Sequence, residues 1–438
     1  MNYRSSISAA IVAVLMTTGH ALAQGGGPST IPNGPYGDND SLSSLRSYWQ
    51  LIDAIQQSVH TSGGTATYNV APWQSNSGRD VPYVVIGNGP TKVMIIAQQH
   101  GDEMETSDSA VNLIRTLVNN SAASKAIRSA LTVIVVPRVN VDGFDGVNPD
   151  GTPLMGATGS AAPPWRQNWD PRFTANPLPA FYQRGRGYDI NRYHAFRPEC
   201  PLDNPNYPDF TTVAGVSSCE TVDIDSHYPG PAYMISQGNP VPEAKNVRWL
   251  SDQFHPVAVL DMHHQGTRVD DGFMVTASTL YPTAVATAER LVTGVDPTAL
   301  DRFNAGQTMA KRVVVVIALK LAHYPYARLS RYPGGTEPGI SRNAYGLLGA
   351  GSVLLELRGG IGTKSGGYIQ KIGYHASYAI IEELARDPSL SAFDPNMADI
   401  LVVPANGLPP SPGNEGEAIV DGMVANPVDD FDDQHLGN

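Results

Sequence analysis

One run of residues, in which an apolar segment ends in a histidine, constrains the fold of this chain more than any other feature. Residues 93–97 have the composition of a buried strand, His100 follows them, and Glu103 stands three residues later, where a helical pattern begins. A His and a Glu at this spacing can bind one metal ion together. Zinc accepts such ligands, and a catalytic zinc site needs three protein ligands and one open position. The pair therefore predicts a third ligand further along the chain.

A second strand-like segment supplies candidates for the third ligand. Residues 256–260 are apolar, and Asp261, His263 and His264 follow them. In α/β sheets, functional groups gather at the carboxyl ends of strands, so two strands that each end in a histidine indicate one shared site. The Asp-x-His pattern favours His263 as the ligand, and His264 is the alternative. The competing interpretation is that both segments are polar strand ends whose histidines face solvent.

A glutamate inside an apolar strand is a candidate general base. Glu356 lies within residues 352–357, which are otherwise apolar after the first serine, and Arg358 comes directly after them. Glutamate is rarely buried in such a segment without a reason. Beside a water molecule activated by a metal, a buried carboxylate can act as a general base. An ion pair with Arg358 or another cation is the alternative interpretation.

The order of these motifs resembles that of the zinc metallocarboxypeptidases of the carboxypeptidase A-like family. The motifs, in chain order, are His100-x-x-Glu103, Asp189-Ile190-Asn191-Arg192, His263 and Glu356-Leu357-Arg358. Two further segments agree, and they are Asn140-Val141-Asp142-Gly143, where the family has Asn-Pro-Asp-Gly, and Pro242-Glu243-Ala244, which opens a helix. The resemblance covers residues 41–400. It implies an α/β fold, a three-layer α/β/α sandwich with a mixed, mostly eight-stranded sheet.

The resemblance implies one zinc ion per chain, held by side chains at three matching positions. These positions are His100, Glu103 and His263. Asp189 matches the carboxylate that accepts a hydrogen bond from a ligand histidine, and contacts of this kind orient the ligand. Glu356 matches the general base of the family.

Roles in substrate binding follow from the resemblance as well. Asn191 and Arg192 match the pair that binds the terminal carboxylate of the substrate, which a guanidinium group can contact through two hydrogen bonds. Arg166 matches the arginine that polarises the scissile carbonyl. The alternatives to Arg166 are three arginines that lie nearby in the sequence, Arg172, Arg184 and Arg186.

Two further positions concern how substrate is held. The family's mobile tyrosine, which closes over the terminal carboxylate, corresponds to Tyr332, with Tyr345 as the alternative. Asp102 stands directly before Glu103, where the family often has an arginine that helps to bind substrate. This departure affects the subsites away from the scissile bond.

Length and charge limit the classes of function. The chain has 438 residues, of which 41% are hydrophobic, enough for one large core or two domains. Its net charge of −12 argues against a nucleic acid partner, because contact with the phosphate backbone needs a basic surface. After the N-terminal segment no apolar run reaches the ~20 residues of a membrane span, so we expect no membrane-spanning segment.

The N-terminal residues have the parts of a cleaved signal peptide. Arg4 precedes an apolar stretch at residues 7–18, and Ala21-Leu22-Ala23 before Gln24 fits the cleavage rule. We therefore expect residues 1–23 to be removed and the protein to be exported to the periplasm or the extracellular space.

The remaining chain is predicted to contain one catalytic domain between two irregular segments. Residues 24–40 are rich in Gly, Pro, Asn and Ser and are predicted to be a flexible lead-in. Residues 41–405 form the predicted catalytic domain. Residues 406–438 become acidic and are predicted to be a disordered tail.

Strand-like and helical patterns alternate along the catalytic domain and indicate an α/β fold. Residues 83–86 and 92–97 are predicted to be adjacent strands joined by the turn at residues 87–90, and residues 131–136 form a further buried strand. Helical patterns occur at residues 41–58, 105–117, 241–254 and 284–292 and within 366–386.

The chain has two cysteines, Cys200 and Cys219. An even number of cysteines in an exported protein favours one disulfide bond, which would stabilise the fold by roughly 3 kcal/mol on the chain-entropy model. Two free thiols are the alternative.

The activity that the resemblance implies is zinc-dependent hydrolysis of the C-terminal peptide bond of a peptide with a free C-terminus. One alternative is an amidohydrolase on the same scaffold that acts on acyl amino acids or cell-wall peptides, which also carry a free carboxylate. The other alternative is a non-catalytic protein that binds zinc or peptides, and Glu356 argues against it because a binding protein has no need of a general base.

Overall fold

The computed structural model of the chain describes residues 45–150, 154, 164–170, 187–194, 241–265, 269–270, 273–294, 296–324, 327–358 and 365–403. The predicted signal peptide, lead-in, cysteine pair and acidic tail lie outside the described residues, as do Arg172, Arg184 and Arg186, and these assignments stay predictions. None of the described helices is both long enough and apolar enough to cross a membrane.

A mixed sheet of eight strands forms the middle layer of the fold. Its strands, in order across the sheet, are β1 (Ala66–Val70), β2 (Pro82–Ile86), β4 (Leu131–Val136), β3 (Thr91–Ala97), β5 (Ala258–Gln265), β10 (Gly351–Arg358), β8 (Ala277–Leu280) and β9 (Leu329–Arg331). The four central strands are parallel, and β2 and β8 run antiparallel to them on either side. Two short strands, β6 (Val269–Asp270) and β7 (Phe273–Met274), pair separately. The predicted eight-stranded mixed sheet is confirmed.

The prediction that β2 and β3 are adjacent is wrong, because β4 lies between them. The short connection from β2 to β3 passes over the start of β4, where Gly87 has a φ of 80° and any side chain would collide with backbone atoms of Leu131 and Arg128. The physical reason lies in β3, which is buried along residues 93–97. A strand that is apolar on both faces is stable at the centre of a sheet, between two parallel neighbours, rather than in a hairpin.

Helices cover both faces of the sheet and form the outer layers. One layer contains α2 (Met104–Val118), α3 (Ala122–Ala130), α6 (Ala299–Leu321) and α8 (Ser365–Arg386), and the other contains α4 (Pro242–Phe254), α7 (Ser341–Leu347) and a short 3-10 helix (Ile190–Arg192). The first helix, α1 (Tyr48–His60), contributes to both cores, and α5 (Val285–Gly294), α9 (Ala398–Leu401) and a 3-10 turn (Pro395–Met397) pack around α6.

The predicted helices are present, and the described residues form four further helices that were not predicted, which are α3, α6, α7 and α9. The pattern at residues 41–58 corresponds to α1, which begins at Tyr48 after a capping box between Ser47 and Gln50. The buried run Val313–Ile317 lies in the long helix α6, an element that was not predicted. Five β-branched residues in succession are more typical of a strand. Packing against β10 and α8 outweighs this preference.

Alternation along the central strands directs the candidate site residues to one face of the sheet. Leu260 and Met262 belong to the core beneath α2, α6 and α8, whereas Val259 belongs to the core beneath α4 and α7. Because neighbouring side chains of a strand point to opposite faces, His263 lies on the side of α4 and α7. Glu356 of β10 is in register with His263 in the parallel pair and therefore lies on the same side.

Glu243, in the first turn of α4, is a buried carboxyl group. Its side chain is fully buried, and Asn168 donates a hydrogen bond to Oε2 over 2.9 Å. Burial, with a smaller contribution from Asp142, raises the pKa of Glu243 to about 8. The carboxyl group is therefore largely protonated at neutral pH.

Replacing Glu243 with Gln is expected to remove the loss of stability that the wild type undergoes as the pH rises from 4.5 to about 8. The pKa of Glu243 rises from an ordinary 4.5 to about 8 on folding, so folding takes up a proton between these values. The contribution of Glu243 to stability is full below pH 4.5 and is lost as the pH rises through about 8. Thermal unfolding should be measured at several pH values. The free energy of unfolding of Glu243→Gln should increase relative to that of the wild type as the pH rises, by roughly 1–4 kcal/mol.

The exposed Asp53 on α1 offers a control for the loss of one negative charge, through Asp53→Asn. A difference between wild type and Glu243→Gln that stays constant from pH 5 to pH 9 would contradict the assignment.

Candidate metal centre and active site

Three side chains from the ends of two neighbouring strands converge at the carboxyl edge of the sheet. His100 lies in the loop after β3, Glu103 is the residue that precedes α2, and His263 is on β5. One ligand atom from each lies within 4.8 Å of the others, and all three side chains are buried. The site thus contains the three residues that were predicted as ligands.

The imidazole rings present the same nitrogen to the centre of this group. His100 Nδ1 lies 2.6 Å from Glu103 Oε1, His263 Nδ1 lies 2.9 Å from Glu103 Oε2, and the two Nδ1 atoms are 3.1 Å apart. The Nε2 atoms point away from the centre toward two other carboxylates. His100 Nε2 lies 3.0 Å from Asp189 Oδ1, and His263 Nε2 lies 2.9 Å from Asp261 Oδ2. Both Nδ1 atoms and the Glu103 carboxylate are therefore directed at one point.

Electrostatic interactions within the site shift the pKa of each ligand. Burial and Arg166 act to lower the pKa of His100, but Glu103 and Asp189 outweigh them and raise it to about 9. Burial likewise opposes charge on His263, yet Asp261 and Glu103 raise its pKa well above the ordinary value. Burial alone would raise the pKa of Glu103, whereas the two imidazoles hold it well below its usual range.

The charges of the site fit a divalent cation. Without metal, the three carboxylates of Glu103, Asp189 and Asp261 face Arg166 and two imidazoles whose raised pKa values favour protonation. A dication in place of those two protons leaves the total charge unchanged. Two histidine nitrogens and one carboxylate form a ligand set that is typical of catalytic zinc, which keeps a fourth position for water or substrate.

His264, the alternative ligand, points elsewhere. Because it alternates with His263 along β5, its side chain lies on the opposite face of the sheet. There its Nε2 atom is 3.5 Å from Oε2 of Glu105, a residue in the first turn of α2.

The loop that carries His100 is held in an uncommon conformation. Gln98 has a φ of 52°, which a residue with a side chain rarely adopts. Its side chain donates to the carbonyl of Gly101 over 2.9 Å and accepts from Arg138 Nε over 2.6 Å. A Cβ atom at Gly101 would collide with backbone atoms of Trp165 and Gly143. These contacts direct the loop, and with it His100, toward β5.

The Asn-x-Asp-Gly segment supports the backbone around Arg166. Asn140 Nδ2 donates to the carbonyls of Arg166 and Gln167 over 3.1 and 3.0 Å, and Asn140 Oδ1 accepts from Gly143 N over 2.8 Å. Gly101 N also donates to the carbonyl of Arg166. The turn that was noted in the sequence therefore has a structural role in placing this arginine.

Arg166 lies beside the candidate ligands. Its Nη1 atom is 3.5 Å from Glu103 Oε1 and its Nε atom is 3.4 Å from Asp189 Oδ2. The guanidinium group is thus next to the point at which the ligand atoms converge.

The 3-10 helix brings the Asp-x-Asn-Arg motif to the site. Asp189 Oδ1 accepts a hydrogen bond from Asn191 N as well as from His100. Asn191 Oδ1 accepts from Ser341 N over 2.9 Å, and Arg192 Nη1 donates to the carbonyl of Asn191 over 3.0 Å. Asn191 and Arg192 are each 6% exposed, so both retain a small accessible surface beside the ligands.

The two candidate tyrosines occupy different environments. Tyr332 follows β9 and packs with Leu280 and with Leu354, which precedes Glu356 by two residues on β10. Tyr345 is fully buried in α7, and its hydroxyl group lies 2.7 Å from His194 Nδ1. Glu356 itself is 6% exposed and adjacent to His263 across the sheet.

Several residues of the site were not predicted as functional. Asp261 contacts His263, and it is joined by Gln99, Ser341 and His194 in a buried hydrogen-bonded group. The Asp-x-His spacing was a signal for Asp261. No motif indicates His194 or Ser341, because their partners are distant in the sequence.

The chain is similar in sequence and in fold to known zinc carboxypeptidases. A sequence profile described as zinc carboxypeptidase matches residues 61–288, just over half of the chain. The structure of bovine thrombin-activatable fibrinolysis inhibitor in complex with tick carboxypeptidase inhibitor is similar in fold, with 14% identity, coverage of 78% of this chain and 98% of that chain, and a TM-score of 0.50. No curated protein matches the chain.

Two further solved structures are similar at lower scores. Carboxypeptidase A from Helicoverpa armigera has 16% identity, coverage of 80% of this chain and 74% of that chain, and a TM-score of 0.49. A metallo-carboxypeptidase from Pseudomonas aeruginosa has 14% identity, coverage of 79% and 70%, and a TM-score of 0.44.

Replacing His263 with Ala is expected to abolish tight zinc binding, whereas His264→Ala should retain it. The two residues are adjacent, but His263 alone directs Nδ1 toward Glu103 and His100. Metal content of the purified proteins, measured by elemental analysis, should be about one zinc per chain for wild type and His264→Ala. Full zinc content in His263→Ala together with loss in His264→Ala would reverse the ligand assignment.

Proposed function

Because this chain belongs to the zinc carboxypeptidase family, we propose that it is a zinc-dependent metallocarboxypeptidase that hydrolyses the C-terminal peptide bond of peptides. The observation that carries the proposal is the convergence of His100, Glu103 and His263, with Glu356 beside His263 on the next strand. A protein that only binds zinc or peptides has no need of a buried carboxylate in that position. One zinc ion per chain is expected.

Glu356 is the proposed general base. Zinc bound by the three ligands would supply a Lewis acid for the attacking water and for the scissile carbonyl. Glu356 accepts the proton of that water and transfers it to the nitrogen of the leaving amino acid, so that the C–N bond breaks after the new C–O bond forms. Its burial keeps bulk water away from this transfer.

Arg166 is the proposed stabiliser of the oxyanion. Its contacts with Glu103 and Asp189 hold the guanidinium group beside the ligands before substrate arrives. A donor that is already oriented toward the developing negative charge needs no reorganisation during the reaction.

Asn191 and Arg192 are the proposed site for the terminal carboxylate of the substrate. A guanidinium group paired with an amide fits a carboxylate through charge-assisted hydrogen bonds. Of the two candidate tyrosines, Tyr332 is the one proposed to contact substrate, because the hydroxyl of Tyr345 is engaged with His194 inside the protein.

The compartment is proposed from the sequence pattern. Residues 1–23 would direct export to the periplasm or the extracellular space, where a Cys200–Cys219 disulfide could form. The substrate would then be an extracytoplasmic peptide.

Replacing Glu356 with Gln is expected to leave zinc binding intact and to lower kcat by roughly 10²–10⁴-fold, because the amide cannot accept the proton. The measurements are zinc content and peptide hydrolysis on the same preparation. Glu382→Gln, on the exposed side of α8, is a matched control that should retain activity. Wild-type kcat in Glu356→Gln would remove this residue from the mechanism.

Blocking the C-terminus of a peptide with an amide is expected to make it a poor substrate, because Arg192 then loses a charged partner. Arg192→Ala should reduce the preference for free over amidated peptides, a contact worth roughly 1.5–3 kcal/mol. Arg331→Ala, at a surface ion pair with Asp399, is the control. Efficient internal cleavage of amidated peptides would contradict the exopeptidase assignment, and a clear preference for acyl amino acids over peptides would favour an amidohydrolase.

A further inference from the structure

A buried chain of hydrogen bonds connects α7 to one of the candidate ligands. It runs from Tyr345 through His194, Gln99 and Asp261 to His263. We propose that this chain fixes the tautomer and orientation of His263, so that its members act as positioning residues for the metal centre. The inference rests on the metal site of the proposed function.

The first step is the contact between Asp261 and His263. Asp261 Oδ2 lies 2.9 Å from His263 Nε2, and both side chains are buried. An ionised carboxylate only accepts hydrogen bonds, so Nε2 must carry a hydrogen atom. In the neutral ring, the lone pair then lies on Nδ1, the atom directed at Glu103. This is the tautomer that a ligand bound through Nδ1 requires.

The second step is the support of the Asp261 carboxylate. Oδ2 also accepts hydrogen bonds from Gln99 Nε2 over 2.7 Å and from the hydroxyl group of Ser341. Gln99 belongs to the loop after β3, Ser341 is the first residue of α7 and His263 is on β5, so three elements contact one oxygen atom. Three groups, the Gln99 amide, the Ser341 hydroxyl and the His263 ring, contact this one oxygen atom, as fits a carboxylate that only accepts hydrogen bonds.

The third step is the orientation of the Gln99 amide. Gln99 Oε1 lies 2.6 Å from His194 Nε2, and His194 Nδ1 lies 2.7 Å from the hydroxyl of Tyr345. Burial lowers the pKa of His194 to about 4, so the ring is neutral at pH 7 and carries one N–H. Nε2–H donates to Gln99, and the Tyr345 hydroxyl donates to Nδ1.

The negative charge of Asp261 determines the direction of every bond in the chain. If the Gln99 amide were reversed, its oxygen would lie against the Asp261 carboxylate. If His194 had the other tautomer, its Nε2 lone pair would face the Gln99 oxygen. Only the arrangement in which Tyr345, His194 and Gln99 each donate toward Asp261 satisfies all the contacts. A change at His194 should therefore affect His263 through two intermediate side chains.

The experiment measures the zinc affinity of the full-length protein by competition with a chromophoric chelator. Asp261→Asn should weaken zinc binding by about 10–100-fold, the usual effect of losing such a partner of a ligand histidine. His194→Phe, which removes the donor to Gln99, should weaken binding to a smaller extent. His194→Gln should restore it, because the glutamine Nε2 can occupy the position of the histidine Nε2 and donate in its place.

A matched pair of serine variants tests the support of Asp261. Ser341→Ala removes a donor to Asp261 and should weaken zinc binding. Ser330→Ala removes an equally buried hydroxyl, which bonds to Ser278 over 2.8 Å rather than to Asp261, and should leave zinc affinity unchanged. If Asp261→Asn does not fold, this pair and the His194 variants still test the inference.

A second measurement separates positioning from general stabilisation. Thermal unfolding of the metal-free proteins reports the contribution of each residue to the fold alone. Wild-type zinc affinity in His194→Phe and Ser341→Ala, even with lowered unfolding temperatures, would overturn the inference, and so would a failure of His194→Gln to improve on His194→Phe.

The peptidase assignment can be contradicted independently of this inference. A wild-type protein that binds zinc but cleaves no peptide would contradict the peptidase assignment while the zinc affinities still decide this inference. A wild-type protein that takes up no zinc would overturn the metal site and this inference together.

Discussion

The mutual neutralisation of buried charges at the carboxyl edge of the sheet is the constraint on which the rest of the site depends. Glu103, Asp189 and Asp261 are almost completely buried, and a buried carboxylate without partners is strongly unfavourable. Each is balanced by an imidazole or by Arg166. The same arrangement that makes these carboxylates tolerable produces a point at which a dication is favoured, so the folding requirement and the metal site have one physical origin.

The strand order of the sheet brings these charged side chains together. β3 and β5 are parallel neighbours, so both strands end at the same edge of the sheet. His100 follows β3 and His263 lies on β5. β10 follows on the far side of β5 and places Glu356 level with His263. The central position of β3, which required β4 rather than β2 as its neighbour, is therefore also what allows β3 to lie beside β5.

The sequence predicted the parts of the site that local patterns encode and missed those that depend on tertiary neighbours. The strand-end histidines and Glu356 could be inferred from apolar runs, and the eight-stranded sheet was implied by the family resemblance. The position of β4 between β2 and β3 could not be inferred, because strand pairing depends on how deeply each whole strand is buried. The helix α6 could not, because packing overrode the β-branched run Val313–Ile317. His194 could not, because its role exists only through Gln99 in space.

The residues that patterns identify carry charge, whereas those that patterns miss determine orientation. A charged or ionisable ligand can be recognised in the sequence, because such a residue directly after an apolar strand has few explanations other than a functional site. A residue such as Gln98 is not, although its left-handed conformation turns the chain after β3. That conformation costs on the order of 1 kcal/mol or more, and the bonds to Arg138 and Gly101 offset it. Because such strain persists only where the surroundings fix it, the loop that carries His100 is held in place before any metal binds, and the ligand positions are a property of the fold itself.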